Sequence, residues 1–341
     1  MNDHYFNLDR PKEKYTGSSR KISGSSRRTG SDFSEFSSYD FTEKSKLKFV
    51  KLLKPLYLFV MSVFFISLMN ICTKILFELY KNIGVHTINF FKGFYIILLS
   101  ILFMKLDRID LGIVKNFDKS VFETGIFRVI LVTTVYIFSI LSLKYTKLSN
   151  FLSINLIIPL LILVFQKTME KEKFSKKDGK CLLMVLFAVL LISTENILSP
   201  NYYFCGVTYG LIASVLFSTS VLILKKFRIH IYIFLFLLGS ILMCISILLI
   251  TINKEKLESL DFNSFFLLFF TGTTSFFAHY FLLKTLKRSN TYIIEILLNF
   301  TIFLAFFYGY YFFDESINFL GFIGSLIIIG VNLYRNVIHQ Q

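Results

Sequence analysis

Apolar stretches long enough to cross a lipid bilayer fill this chain from residue 55 almost to its end, and they leave few folds open. Ten can be delimited, at 55–77, 86–105, 125–143, 148–168, 180–198, 206–225, 229–252, 262–283, 290–312 and 317–337. Each has roughly the 17–25 residues that span the hydrocarbon as a helix. Inside lipid every backbone N–H and C=O must be paired within a helix or a closed barrel. These runs are too long for barrel strands and do not alternate apolar with polar residues, so they predict helices. Composition agrees: the 341 residues are 54% hydrophobic and 18% aromatic, with a mean hydropathy of +0.62, beyond what a soluble globular chain carries. The 42 Phe and absent Trp fit the codon bias of an AT-rich genome.

The spans fall into two series. Leu143, Lys144, Lys147, Ser149 and Asn150 form an L-K-x-x-K-x-S-N pattern, and Leu283, Lys284, Lys287, Ser289 and Asn290 repeat it about 140 residues later. Each copy leads into an apolar segment. An acidic turn follows (Glu170 and Glu172, then Asp314 and Glu315), then a glycine (Gly179, Gly321) and a further apolar segment. The halves are therefore 55–198 and 206–337, with five spans each. Five is odd, so the second half must enter the membrane upside down relative to the first. An inverted repeat is the architecture of alternating access, in which the site lies between the halves near the midplane.

Charge fixes the orientation. With the amino terminus in the cytosol, 17 Lys and Arg fall in inside loops and 5 in outside loops. Both termini are then cytosolic, and the formal charge of +15 reflects topology rather than nucleic-acid binding. Residues 1–48 are polar, rich in Ser, Lys and Arg, and predict a disordered tail without the apolar region of a signal peptide. Arg20 to Ser23 and Arg28 to Ser31 are candidate sites for basophilic kinases. Which membrane holds the chain is open between the plasma membrane and an organelle, plastid-like or endomembrane. The four Cys (Cys72, Cys181, Cys205, Cys244) lie in or beside apolar segments without C-x-x-C spacing, so neither a disulfide framework nor a zinc site is expected.

The end of the second half, with Glu315, Gly321, Phe322, Ile323, Gly324 and Gly330, and Pro159, Glu172 and Gly179 in the first, resemble the drug/metabolite transporter superfamily. The resemblance is to its ten-helix form of two EamA-type repeats and covers about 55–337. It implies a secondary transporter. Triose-phosphate and nucleotide-sugar carriers belong to the same superfamily. Ser193, Thr194, Glu195, Lys225 and Lys226 faintly resemble the plastid phosphate carriers. Those carriers resemble one another in a Lys-Arg pair in the ninth helix, where this chain has Leu297, Leu298, Asn299 and Phe300. An organellar sugar-phosphate or nucleotide-sugar exchanger is therefore the alternative reading.

Ionisable groups inside the hydrocarbon are candidate functional residues. Glu295 lies about 9 Å into the ninth span, at 1.5 Å per residue. His279, near the end of the eighth span, falls at similar depth, and the two would meet if their faces agree. A desolvated Glu295 would exchange a proton when the cavity opens, with His279 shortening the proton's path. Lys92 in the second span is a candidate cavity residue. Asn155 occupies the repeat position of Glu295, and Asn70, Asn299 and Tyr136 are mid-span polar groups that can face a solute or join helices. Arg128, Lys144, Lys284 and Glu195 sit near span ends and read as snorkelling anchors, as does Lys74 with Glu78. Gly206, Gly210, Gly321, Gly324 and Ser325 read as close-packing positions.

Other chemistry is absent from the sequence. No G-x-x-x-x-G-K-[ST] loop is present, and no pair of His has metal-ligand spacing, so no catalytic residue, cofactor or metal is expected. The reading is an all-α polytopic membrane protein that moves a small polar or cationic solute by alternating access, with proton coupling through Glu295. Its partners would be the bilayer, the solute and protons, with a homodimer as a candidate assembly. A membrane-embedded enzyme using Glu295 and His279, or a receptor, is the rival class.

Overall fold

The computed structural model describes residues 57–80, 83–109, 119–171, 175–197, 202–225, 230–255, 261–288, 304, 306–315 and 319–338. The expected tail, Glu295 and Asn299 lie outside these residues. The described chain is all-α. The first series comprises α1 (Tyr57–Leu79), α2 (Val85–Leu106), α3 (Lys119–Tyr145), α4 (Leu148–Asn155), α5 (Ile158–Glu170) and α6 (Lys176–Ile197). The second comprises α7 (Tyr202–Lys225), α8 (Ile231–Asn253), α9 (Phe262–Arg288), α10 (306–313) and α11 (Phe319–Ile338). Seven helical stretches among the described residues are long and apolar enough to cross a membrane, and the pair α4–α5 counts as one of them.

That pair departs from the single helix expected over 148–168. Pro159 has no N–H to give the carbonyl of Asn155, and its ring crowds that carbonyl, so the α-helical ladder stops there. Leu156 N bonds Ser153 O at 3.1 Å and Ile157 N bonds Ile154 O at 3.1 Å, one tight turn between α4 and α5. The helix resumes with proline in its first turn, where a missing N–H costs nothing.

The helices pack as an inverted duplication. The most extensive contacts are α2 on α8, α3 on α7 and α6 on α11. Span by span, α2–α8 and α6–α11 pair equivalent helices of the two halves. The equivalent of α3–α7 is α9–α1, which Phe65 makes by stacking on Phe277 at 5.2 Å and on Phe281 at 5.7 Å. Helices α2 and α8 run antiparallel: Phe103 near the end of α2 stacks on Tyr232 at the start of α8, with centroids 6.0 Å apart. They touch through Gly93 and Gly239, each the ninth residue of its helix. A Cβ on Gly93 would stand 2.8 Å from Gly239 O, and one on Gly239 would stand 2.8 Å from Gly93 O. Only two glycines allow that approach, and it lies where equivalent points of the halves meet.

The ends are joined across the halves as well. Gly84 and Lys147 at the N-caps of α2 and α4 make no side-chain cap, yet the first amides of a helix need acceptors. Glu255, just past α8, supplies one carboxylate: it accepts from His86 N at 3.4 Å, Thr87 N at 3.1 Å and Thr87 Oγ1 at 3.1 Å. Glu315, just past α10, accepts from Leu148 N at 2.7 Å, Ser149 N at 3.3 Å and Ser149 Oγ at 3.0 Å. A negative charge at a helix N-terminus also meets the positive end of the helix dipole. Lys74 of α1 works at the opposite pole of a helix. It donates to Thr146 O at 2.9 Å and Leu143 O at 3.5 Å around the end of α3, with Glu78 4.0 Å away, rather than snorkelling outward.

Arg128 is also no anchor. It is buried in α3, where Nε donates to Ser220 O at 3.2 Å and the guanidinium lies 4.3 Å from the ring centroid of Phe234. The close-packing positions hold where they are described. Ser142 Oγ donates to Gly206 O at 2.7 Å, and a Cβ on Gly324 would stand 2.6 Å from Ala188 O. Ser325 Oγ meets Ser153 Oγ at 3.1 Å.

Two outcomes follow. Gly93→Val forces a branched side chain into backbone and should destabilise the fold by about 1–3 kcal/mol. A thermal midpoint in detergent equal to that of the unsubstituted protein would refute the contact. Glu315→Ala leaves the first amides of α4 without an acceptor and should cost about 1–3 kcal/mol. Urea titration of the solubilised protein measures this, and Glu315→Gln should recover part of the loss.

Candidate functional site

The described residues enclose a cavity of about 130 Å³ at the seam between the two halves. Its wall comes from α1 (Ile66, Met69, Asn70), α3 (Val132, Val135, Tyr136, Ser139) and the broken pair α4–α5 (Phe151, Leu152, Asn155, Ile158). The second half adds Ala213 and Phe217 from α7 and His279 and Leu282 from α9. Most of this lining is apolar, with a few convergent polar groups, the usual make-up of a small-molecule site.

Four of the seven predicted residues meet here: Asn70, Tyr136, Asn155 and His279. Asn155 sits at the end of α4, where Pro159 breaks the helix, so the irregular backbone falls at the cavity wall. Irregular backbone at membrane depth is tolerated where it lines a cavity. The break is laced to α7. Ser214 Oγ lies 3.2 Å from Asn155 Oδ1 and 2.9 Å from Gly210 O, so its single proton serves two acceptors. One turn on, Ser218 Oγ reaches Ile158 O at 3.3 Å.

His279 is held by Tyr136. Nδ1 lies 2.9 Å from Tyr136 Oη and 3.1 Å from Ser275 O, and the two rings stack with centroids 5.0 Å apart. With the proton on Nε2, the Tyr136 hydroxyl donates to Nδ1. With the proton on Nδ1, the imidazole donates to Ser275 O and no longer accepts from the Tyr136 hydroxyl. One proton thus decides whether Tyr136 donates to His279. The partner expected for His279, Glu295, lies outside the described residues; within them Tyr136 takes that place.

Lys92 is not on the cavity surface. Its side chain is buried to 1% exposure, and its ammonium lies 5.8 Å from the ring centroid of Tyr136. Ser139 and Ser214 were not singled out in the sequence, where they are two among many serines. Ser139 follows Tyr136 by three residues and so shares its helix face. That signal is present in the sequence but is not distinctive.

Nothing among the described residues resembles a catalytic or metal centre: no group of three His, Cys, Asp or Glu is placed to hold a metal. No curated protein matches the chain. A solved structure titled only as the crystal structure of a protein shares 14% identity and has a TM-score of 0.60. It covers 84% of this chain and 97% of its own, a likeness of fold. The model of the EamA-like transporter family matches twice, at residues 53–194 and 204–333. With most of its length matched in two copies, the chain belongs to the EamA-like transporter family, a group of multi-pass membrane transporters within the drug/metabolite transporter superfamily and not of enzymes.

Proposed function

We propose that this transporter carries a small polar metabolite through the cavity between its halves by alternating access. The observation that supports this most directly is the make-up of the cavity wall, to which α1, α3 and α4–α5 of one half and α7 and α9 of the other all contribute. A movement of one half against the other must change such a site. The contacts around it suit that movement. Gly93 and Gly239 bring the backbones of the two halves together at one point, about which one half can rock against the other. Glu255 and Glu315 are single carboxylates on helix ends, which can release and reform as units.

Counterflow in liposomes tests this reading. Purified protein loaded with a mixture of unlabelled metabolites should accumulate the labelled form of its solute. Folded protein that exchanges none of a broad panel of cationic, neutral and anionic metabolites would defeat it. Asn155→Leu keeps the volume of the side chain and removes its polarity. It should lower exchange by about tenfold, the loss of one or two hydrogen bonds to solute, while shifting the melting point little.

Coupling to protons is assigned in this reading to Glu295. Glu295→Gln should keep solute exchange at equal pH and lose the stimulation of uptake by a pH gradient. An unchanged gradient response, normalised to folded protein, would move coupling elsewhere.

A further inference from the structure

Among the described residues, the buried and half-buried cations named here are matched with acceptors, with one exception. Lys74 binds the carbonyls that end α3 and lies near Glu78, and Lys167 pairs with Asp178. Arg128 binds Ser220 O and the face of Phe234. Lys284 reaches the hydroxyl of Tyr280. Lys92 alone, eighth in α2 and 1% exposed, has neither a hydrogen-bond acceptor nor a carboxylate among the described residues. Its neighbours are the face of Tyr136 and the thiol of Cys72 on α1. An ammonium buried without an acceptor is among the costliest groups a membrane helix can hold, and one that persists there calls for a functional explanation.

A second group on the same helix is unsatisfied. Asn89 precedes Lys92 by three residues, so the two are neighbours on the helix surface. It is fully buried, and both Oδ1 and Nδ2 lack partners. The Asn89 Nδ2 and the Lys92 ammonium are thus two donors, one turn apart, that no acceptor meets among the described residues. The field at the cavity agrees in sign. The described residues of its wall include no acid, and the charged groups near enough to act on His279 are Arg128 and Lys92, both cations. Among the described residues, a cationic solute meets no acid on the cavity wall, whereas the positive field of Lys92 and Arg128 favours an anion.

We propose that Lys92, with Asn89 beside it, is the recognition site for an oxyanion of the transported solute, a carboxylate or a phosphate, which reaches it past the ring of Tyr136. This rests on the transport reading only for the word transported; the binding site stands or falls by itself. The anion supplies acceptors for the Lys92 ammonium and for Asn89 Nδ2. Tyr136 lies between cavity and ammonium, and its ring must turn aside for direct contact. Its hydrogen bond to His279 therefore acts as the latch on the pocket.

Thermal unfolding of the intact solubilised chain tests the site. Succinate, inorganic phosphate and glucose 6-phosphate are titrated against chloride at equal ionic strength, with choline as the cationic control. At least one oxyanion should raise the midpoint in a saturable manner, by mass action on the folded state, while choline does not. Preference among the three separates a carboxylate from a phosphate solute. Lys92→Met removes the charge and keeps the bulk. It should melt no lower than the unsubstituted protein without ligand, because it removes an unpaired buried charge, and should bind the oxyanion at least about tenfold more weakly. Where Lys92→Met does not fold, Lys92→Gln is measured in the same way. The proposal is overturned if all three oxyanions fail to stabilise the unsubstituted protein. It is equally overturned if the variant keeps the oxyanion response within about twofold. Counterflow in liposomes then separates the two claims. Exchange of choline or neutral solutes alone overturns the oxyanion site and leaves the transport reading in place. Saturable oxyanion binding without any flux does the reverse.

Discussion

A helix that begins at the edge of a membrane presents amides with no carbonyl behind them, and lipid supplies none. Much of this architecture depends on how two such ends are met. Neither α2 nor α4 carries its own cap, and each receives a carboxylate from the far half of the chain, Glu255 or Glu315. Since hydrogen bonds of this kind are local in space and remote in sequence, they do two jobs. They satisfy helix ends, and they set the register of one half against the other. Gly84 makes room for one of these carboxylates and Gly309 for the other, where a Cβ would stand 2.8 Å from Glu315 Oε2. The left-handed residues that let the chain turn after each span fall in matching places too. Arg108 and Lys254 follow α2 and α8, and Lys171 and Asp314 follow α5 and α10.

How much of this was legible in advance depended on whether a signal was local. The spans were, because lipid imposes length and apolarity on each one separately. The duplication was, because the L-K-x-x-K-x-S-N pattern and the acidic turn recur in order. Their relation was not. Ser149 belongs to the first copy of the pattern and Glu315 to the acidic turn of the second half, and only the fold shows that they touch. Arg128 looked like an anchor because depth was judged along its helix. Burial comes from α7 and α8 packing over it, which no single span reveals. Pro159 was visible as a letter, but whether a proline kinks, breaks or merely decorates a membrane helix depends on what packs around the break, here the serines of α7.

The site followed the same rule. Asn70 and Tyr136 were chosen as mid-span polar groups, Asn155 as the repeat position of Glu295 and His279 as lying at the depth of Glu295, and all four line one cavity. Direction around the helix was unavailable, so Lys92 was placed on the surface of the cavity when it belongs behind Tyr136. Partnership was unavailable as well. His279 was matched by depth to Glu295, which lies outside the described residues; the contact with Tyr136, far away in sequence, had no signal. The abundance of Phe, explained by genome composition, also has a structural use. Phe103, Phe276 and Tyr280 stack with Tyr232 where α2, α8 and α9 converge, filling space that smaller residues would leave empty.

The contact between Gly93 and Gly239 has a consequence beyond close packing. Each glycine meets the carbonyl of the other, so the surface that binds and the surface that is bound are the same. A self-complementary patch on a twofold axis is the signature of a symmetric dimer. One five-helix half already contains the features needed to recognise a copy of itself inserted the other way up. Fusing two copies into one chain then adds no new interface. It fixes the stoichiometry and frees the two sides of the axis to diverge, which is how α2 can hold the buried Lys92 where α8, at its own eighth residue, holds Leu238.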